Sequence, residues 1–400
     1  MKTKNILSSE ERLLKDGLQA ELSDSSRNSL REILSNNLNW PYILEESITE
    51  GVSCLLYNNL LEFKHLIPQD IWEKFQGIYY KNTHRNIKAS QDINIVLSSF
   101  NKENLKAIPL KGMFLAEKIY NNIALRAMAD IDILVKKEDL PRIDKTLENL
   151  GYKTRVHKGL LYNAIEKSYM NSVDYFKTDK TSPALHIHWH IVNVTLPTYM
   201  YTKNIKMERF WECARPTRLA DAETLELAPH HLILHLAEHA LKHSFDRLIL
   251  LSDIDAVIKK YGGQINWDRL IQETIEFGME RQVYYSLYFS RYFLDSEVPG
   301  YVLANLRPKR ISFLEQRFFY AVRNNQRNSK LSYFVYLGII KGIINKLRFI
   351  LRTLFPPPCV LALSFNLNKS RVGVNDYFLF FKKQLLNLKS CLKLSRRING

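Results

Sequence analysis

Asp130-Ile131-Asp132, with Lys111-Gly112 upstream, are the residues of this chain best suited to chemistry. On a β-strand successive side chains alternate, so both carboxylates face one side while Ile131 points to the core. Their Cα atoms are then about 6–7 Å apart, close enough to hold a pair of divalent ions about 3.5–4 Å apart. Oxygen ligands select Mg2+ or Mn2+. Upstream, Ala107-Ile108-Pro109-Leu110 reads as a short apolar strand and Met113–Tyr120 as a helix, so Lys111-Gly112 opens that helix. The glycine lets backbone N–H groups approach a phosphate, the helix N-terminus favours negative charge, and the lysine adds a mobile cation. Arg126 supplies a second cation of a kind suited to phosphate. An Asp-x-Asp alone is more often the solvated face of an alternating strand. The phosphate-binding arrangement just upstream shifts the balance toward a site.

Two histidine groups extend the candidate chemistry. Leu185-His186-Ile187-His188-Trp189-His190 puts three histidines at alternate positions, all on one face if 184–192 is a strand. Imidazole can act as a general base near neutral pH or ligate a metal through a neutral nitrogen. His235-Leu236-Ala237-Glu238-His239 matches the H-x-x-E-H pattern of inverted zinc proteases, which also needs an acidic ligand from another helix. No downstream segment singles one out. The simpler reading is a helix face: His235, His239 and His243 are four apart, with Leu232, Leu236 and Ala240 beside them against a core and Arg247 extending the row. Such a face would contact the substrate or the catalytic unit.

The elements that position these residues follow from periodicity. Residues 1–100 carry apolar side chains three and four apart and read as all-helical. Residues 101–216 change character: strands at 107–110, 131–135, 152–156, 171–178 and 184–192 alternate with helices at 113–120 and 139–150, the latter closed by Gly151. This is a small mixed α/β unit built on one sheet. The helical period returns over 217–330, where Leu232, Leu236, Leu241, Leu248, Ile254 and Ile258 mark a buried stripe. Residues 331–400 form a basic amphipathic tail.

Composition narrows the classes. The 400 residues are 46% hydrophobic and 24% charged, an ordinary globular balance. Four cysteines without C-x-x-C spacing suggest neither a disulfide framework nor a thiolate zinc site. The N-terminus is polar within a few residues and lacks the apolar run of a secretory signal, so a cytoplasmic location is expected. Charge is uneven. Residues 331–400 hold 12 Lys or Arg and one acid, a local +11 of the total +16.

The Lys-Gly and Asp-x-Asp arrangement resembles the minimal DNA-polymerase-β-type nucleotidyltransferase fold. From about Trp40 to Tyr377 the chain is similar to a bacterial family of uncharacterised nucleotidyltransferases. The likeness is carried by Leu110-Lys111-Gly112, by Arg126 with Asp130-Ile131-Asp132, by His188-Trp189, and by His235, His239, Arg247 and Asp253. It implies an α+β fold, a small mixed sheet with helices flanked by N- and C-terminal helical regions. It also implies metal-dependent transfer of a nucleotidyl group from an NTP to a hydroxyl-bearing acceptor. In that reading Asp130 and Asp132 bind the metal, Lys111, Gly112 and Arg126 hold the triphosphate, and His188, His235, His239 and Arg247 face the substrate. The chain departs from the family pattern at His186, where a third carboxylate is usual. Histidine can replace that carboxylate as a base, yet it cannot supply its negative charge. The rival reading is therefore a catalytically weakened binding protein that keeps the fold; a zinc hydrolase using the His235–His239 helix is a minor alternative.

The tail adds a partner class. Phe334–Phe355 is apolar but interrupted by Lys341, Lys346, Arg348 and Arg352, which makes it a poor membrane span. On one helix, Lys341, Arg348 and Arg352 share a face. Either that helix touches anionic lipid or an acidic partner, or its apolar side packs on the body. Beyond charge, no motif supports a nucleic acid.

Overall fold

The computed structural model describes residues 8–177, 182–193, 202–323, 332–340, 342–365 and 372–383. The N-terminal region is helical, as its periodicity predicts: α1 (Ser9–Asp16), α2 (Asp24–Leu34), α3 (Trp40–Thr49), α4 (Ser53–Asn59) and the long α5 (Gln69–Lys102). Next come β1 (Ala107–Pro109), β2 (Asp130–Val135), α6 (Leu140–Asn149), β3 (Tyr152–Thr154), α7 (Lys158–Glu166), β4 (Ser172–Lys177) and β5 (Ala184–His188). Gly151, at φ +83, turns the chain after α6 as expected. Sequence spacing gave no sign of α7.

The five strands form one sheet in the order β1-β2-β5-β4-β3. Only β2 and β5 run parallel; the other neighbours are antiparallel. Beyond the sheet, α8 (Met207–Glu212) leads into a hairpin, β6 (Arg215–Leu219) and β7 (Ala222–Glu226). Its turn residues, Ala220 and Asp221, both take positive φ, the twist a two-residue hairpin loop prefers. This hairpin is also absent from the periodicity reading. The chain continues as α9 (Pro229–Lys242), α10 (Ile249–Tyr261), α11 (Trp267–Phe277), α12 (Glu280–Leu294), α13 (Gly300–Leu306) and α14 (Phe313–Arg323).

Two apolar cores separate the faces of the sheet. Ile131, Ile133, Val135, Leu185 and Ile187 pack with Val96, Leu97 and Phe100 of α5 and Ile143 and Leu147 of α6. On the opposite face, Leu134 and Ile108 join a larger core in which N-terminal residues such as Leu13 and Leu56 meet Leu236, Ile254 and Tyr285 of the C-terminal helices. The first and last helical regions therefore share one core. Since β2 alternates, Asp130 and Asp132 lie on the face turned toward α9.

The tail divides at Gly342, whose φ of +83 precedes a fresh helix. Instead of one helix over 334–355 there are α15 (Ser332–Ile339) and α16 (Ile343–Leu354), followed by α17 (Pro358–Ser364). Lys341 lies outside the described residues, so the expected three-residue basic face is not formed on a single described helix; Arg348 and Arg352 remain one turn apart. A last helical run occupies 374–383. Among the described residues no helix is long and apolar enough to cross a membrane.

Candidate active site

The site begins with strand register. Asp132 on β2 pairs with His186 on β5, which pairs in turn with Asp174 on β4. Cross-strand partners share a face. Asp132, His186 and Asp174 therefore form a row, with Asp130 and His188 one step to either side. His186 Nδ1 is 3.3 Å from Asp132 Oδ1 and 3.9 Å from Asp130 Oδ2, and its Nε2 is 3.6 Å from Asp174 Oδ1. His188, fully buried, has Nε2 2.8 Å from Asp132 Oδ1. The strand ends there, so His190 does not extend the ribbon; its Nδ1 instead accepts from the Val192 N–H at 3.0 Å.

Lys111 reaches across from the loop after β1, its Nζ 2.9 Å from Asp132 Oδ2. Both residues are buried. That loop is held to β2 by the Leu110 N–H, which donates to Asp132 O at 2.9 Å. Gly112 follows at φ +50, and a Cβ there would lie 3.4 Å from Asp130 O. The left-handed backbone at this position is what favours glycine. The segment after it is not the regular helix expected over 113–120. It tightens into one wide turn, Leu115–Ile119, in which the Tyr120 N–H reaches back five residues to Leu115 O at 2.9 Å. Such turns recur at functional sites.

Electrostatics differentiate the two aspartates. Burial acting alone would raise Asp132, but Lys111 and hydrogen bonds from His186 and His188 outweigh it and hold its carboxyl well below the usual range. Asp130 is the more open, and burial together with the Asp132 charge raises its pKa. Asp132 is held as an anion, while Asp130 is shifted the other way.

Helix α9 closes over this face. Burial and Lys111 lower both His235, to about 4, and His239, well below the ordinary histidine value. Lys242 lies on the same helix, three residues after His239, and burial with Lys111 brings its ammonium down to about 8. Asp130 and Asp132 act on Lys242 in the opposite direction, so it stands within their field. Sequence reasoning missed both Asp174 and Lys242. The first is the polar member of an alternating Val173-Asp174-Tyr175; the second continues the i, i+4, i+7 spacing from His235 and His239.

Arg126 is placed differently from the phosphate contact expected of it. Its guanidinium grips Asp253 of α10, with Nε 2.9 Å from Oδ1 and Nη2 2.7 Å from Oδ2, and the Tyr120 hydroxyl donates to the same carboxylate at 3.1 Å. All three side chains are buried. Asn82 and Asn86, one turn apart on α5, donate to Ala124 O at 2.8 Å and Arg126 O at 2.9 Å. These asparagines fix the loop that delivers Asp130. Arg247 does not extend the α9 face: the helix ends at Lys242, Ser244 and Phe245 take positive φ, and the Arg247 side chain is exposed, 3.8 Å from Asp246.

One ligating atom each of Asp132, His186 and His188 lies within 4.8 Å of the others. With Asp130 alongside, these carboxylate and imidazole donors are of the kind that hold a divalent metal ion. Among the described residues no such group gathers around His235 and His239, and Glu238 accepts from the Tyr336 hydroxyl of α15 at 3.2 Å. The H-x-x-E-H match therefore lacks its metal set. Cys213, His230 and His231 form another close group. There Glu273, 2.7 Å from His231, already meets Arg269 at 3.1 Å and Arg209 at 3.7 Å, and both histidines sit in the first turn of α9. Positive charge from the arginines and the helix N-terminus disfavours a cation there.

The buried imidazoles set an acid limit on stability. Burial lowers His190 to about 4, as it does His235. An unfolded histidine takes up its proton near pH 6.5, so as pH falls the unfolded chain binds protons first. The contribution is complete above about pH 6.5 and declines toward pH 4, by roughly 1 kcal/mol per histidine at pH 5.5. The melting temperature should fall by several degrees between about pH 7.5 and 5.5. A flat profile in calorimetry would contradict the buried, neutral state of these rings.

No curated protein and no solved structure matches the chain. The model of a family described as uncharacterised nucleotidyltransferase matches residues 36–295, a span that takes in the whole sheet face and α9. The chain belongs to this uncharacterised nucleotidyltransferase family.

Proposed function

We propose that the protein transfers a nucleotidyl group from an NTP to the hydroxyl of an acceptor, using Mg2+ or Mn2+ held at Asp130 and Asp132. The observation carrying this reading is the convergence of Lys111, Asp130, Asp132 and His186 on one sheet face beneath α9. A divalent ion held by Asp130 and Asp132 would neutralise phosphate charge and polarise the α-phosphate. Asp132 keeps its charge at neutral pH and anchors the site. Lys111, whose Nζ lies 2.9 Å from Asp132 Oδ2, is the ammonium that would meet the triphosphate. Lys242, on the opposite wall, adds a second cation for the leaving pyrophosphate.

His186, paired across the strands with Asp132, is the base in this reading. It takes the proton from the acceptor hydroxyl while the oxygen bonds to the α-phosphorus; the bond to the bridging oxygen breaks, and pyrophosphate leaves. With Nδ1–H donating to Asp132, Nε2 is the nitrogen that takes the proton, and Asp174, 3.6 Å from it, would stabilise the imidazolium so formed. His188 has no open surface and serves to position Asp132. Arg126 acts as a brace between the catalytic loop and α10.

Two tests bear on this reading. Incubation with each labelled NTP, Mg2+ or Mn2+ and a cell extract should yield a metal-dependent labelled product; neither labelling nor NTP binding would favour a binding protein that keeps the fold. In the same assay His186→Ala should lower activity by about a hundredfold, the usual scale of general-base loss, whereas His186→Asp should retain or raise it. If both variants match the wild type, His186 is not the base.

A further inference from the structure

The sequence left two fates for the basic tail, and the structure divides them between two helices. α15 is an integral part of the body: Val335 is fully buried, the Tyr336 hydroxyl donates to Glu238, and the Ser332 N–H donates to Ser244 Oγ at 2.8 Å. α16 behaves in the opposite way. Only Phe349, 3% exposed, turns inward, where its ring lies 6.3 Å from Tyr333. Ile343, Leu347 and Leu351 are 70%, 53% and 58% exposed, and Ile350 shares their side.

At about 100° per residue, the exposed apolar residues cover one continuous arc on the side away from Phe349. Lys346 borders that arc on one side, Arg348 and Arg352 on the other. α16 contains no acid. The apolar surface continues beyond the helix through Phe355, whose ring stacks 6.0 Å from Phe381, and through exposed Phe378 and Leu379 beside Lys382 and Lys383. Nine of the twenty-two exposed large hydrophobic side chains among the described residues fall within 343–379. Scattered surface leucines need no explanation, but this concentration in one segment does.

We propose that α16 docks the protein on the surface of an anionic lipid bilayer. An interfacial helix needs an apolar face that enters the acyl boundary and cations at its edges that meet the headgroups. α16 has both, in that order around its axis. Pairing of this face with itself in a second copy would bring two basic rims together, since residues 331–400 offer a single acid against twelve bases. Docking by α16 uses none of the residues of the candidate site, so the inference stands whether or not the transferase reading holds.

Flotation of the full chain with vesicles of phosphatidylcholine and phosphatidylglycerol, beside vesicles of phosphatidylcholine alone, tests it. Binding is expected only to the anionic vesicles, weakening as salt screens the headgroups. The double variant Leu347→Glu/Leu351→Glu should lose affinity at least about tenfold, as should Lys346→Glu/Arg348→Glu, with unchanged melting temperatures because none of these side chains is buried. Wild-type protein that ignores anionic vesicles overturns the proposal, and so do apolar-face variants that bind as well as wild type. Light scattering covers the remaining outcome: a wild-type dimer that Leu347→Glu/Leu351→Glu converts to monomer, without vesicle binding, would make this face an interface between copies.

Discussion

Asp132→Asn should lower metal-dependent transfer at least about a thousandfold while leaving a folded protein. Asp132 is the group on which Lys111, His186 and His188 all converge, at 2.9, 3.3 and 2.8 Å. The amide keeps the shape and can still accept a hydrogen bond, but it removes the charge that draws in the metal. Loss of a metal ligand costs several kcal/mol of transition-state stabilisation, and about 1.4 kcal/mol is tenfold in rate. Asp130→Asn should also reduce activity, with less effect on stability, because Asp130 is the more exposed of the two. Activity of folded Asp132→Asn within tenfold of wild type at matched metal concentration would remove this strand from the active site.

The second large effect is on stability. Asp253→Ala is expected to cost about 3–5 kcal/mol, because it strands a buried guanidinium with no counter-charge. Arg126 meets Asp253 through two nitrogens, and both side chains are almost completely inaccessible. Removing both charges together is a different matter: Arg126→Met/Asp253→Leu leaves no orphan ion and should recover much of the loss, less the hydrogen bond from Tyr120. Urea unfolding of the three proteins decides this. If the double variant is as unstable as the single one, the pair stabilises by its own attraction rather than merely by mutual compensation.

The parts of the site legible in the sequence were those carried by local periodicity. Asp130 and Asp132 share a face because Ile131 and Ile133 must both be buried, and His186 and His188 follow the same rule on β5. Gly112 was legible as a backbone requirement, though the helix it was expected to open became one wide turn. What escaped depended on strand order and on distant segments. Nothing local pairs Arg126 with Asp253, 127 positions away, so a cation suited to phosphate proved to be gripped by a carboxylate. Asp174 joins the site only because β4 lies beside β5, and an alternating strand does not announce its neighbours. The fold class was readable from the alternation of helical and strand periods; α7 and the β6–β7 hairpin, short and weakly patterned, were not. In the tail, apolar spacing predicted a helix but could not tell the packed α15 from the exposed α16, because the division rests on one glycine, Gly342.

Helix α5 has a mechanical consequence for the carboxylate pair. It is a single rod of 34 residues, about 50 Å long, and its two ends belong to different cores: Ile71, Trp72 and Phe75 to the helical one, Val96, Leu97 and Phe100 to that of the sheet. Midway stand Asn82 and Asn86, holding the loop that leads into Asp130. Each end is clamped by close packing, so neither can swing without losing apolar contact. A bend of the rod near its midpoint would therefore shift the loop that leads into Asp130. One helix thus ties the packing of both cores to the placement of the aspartates.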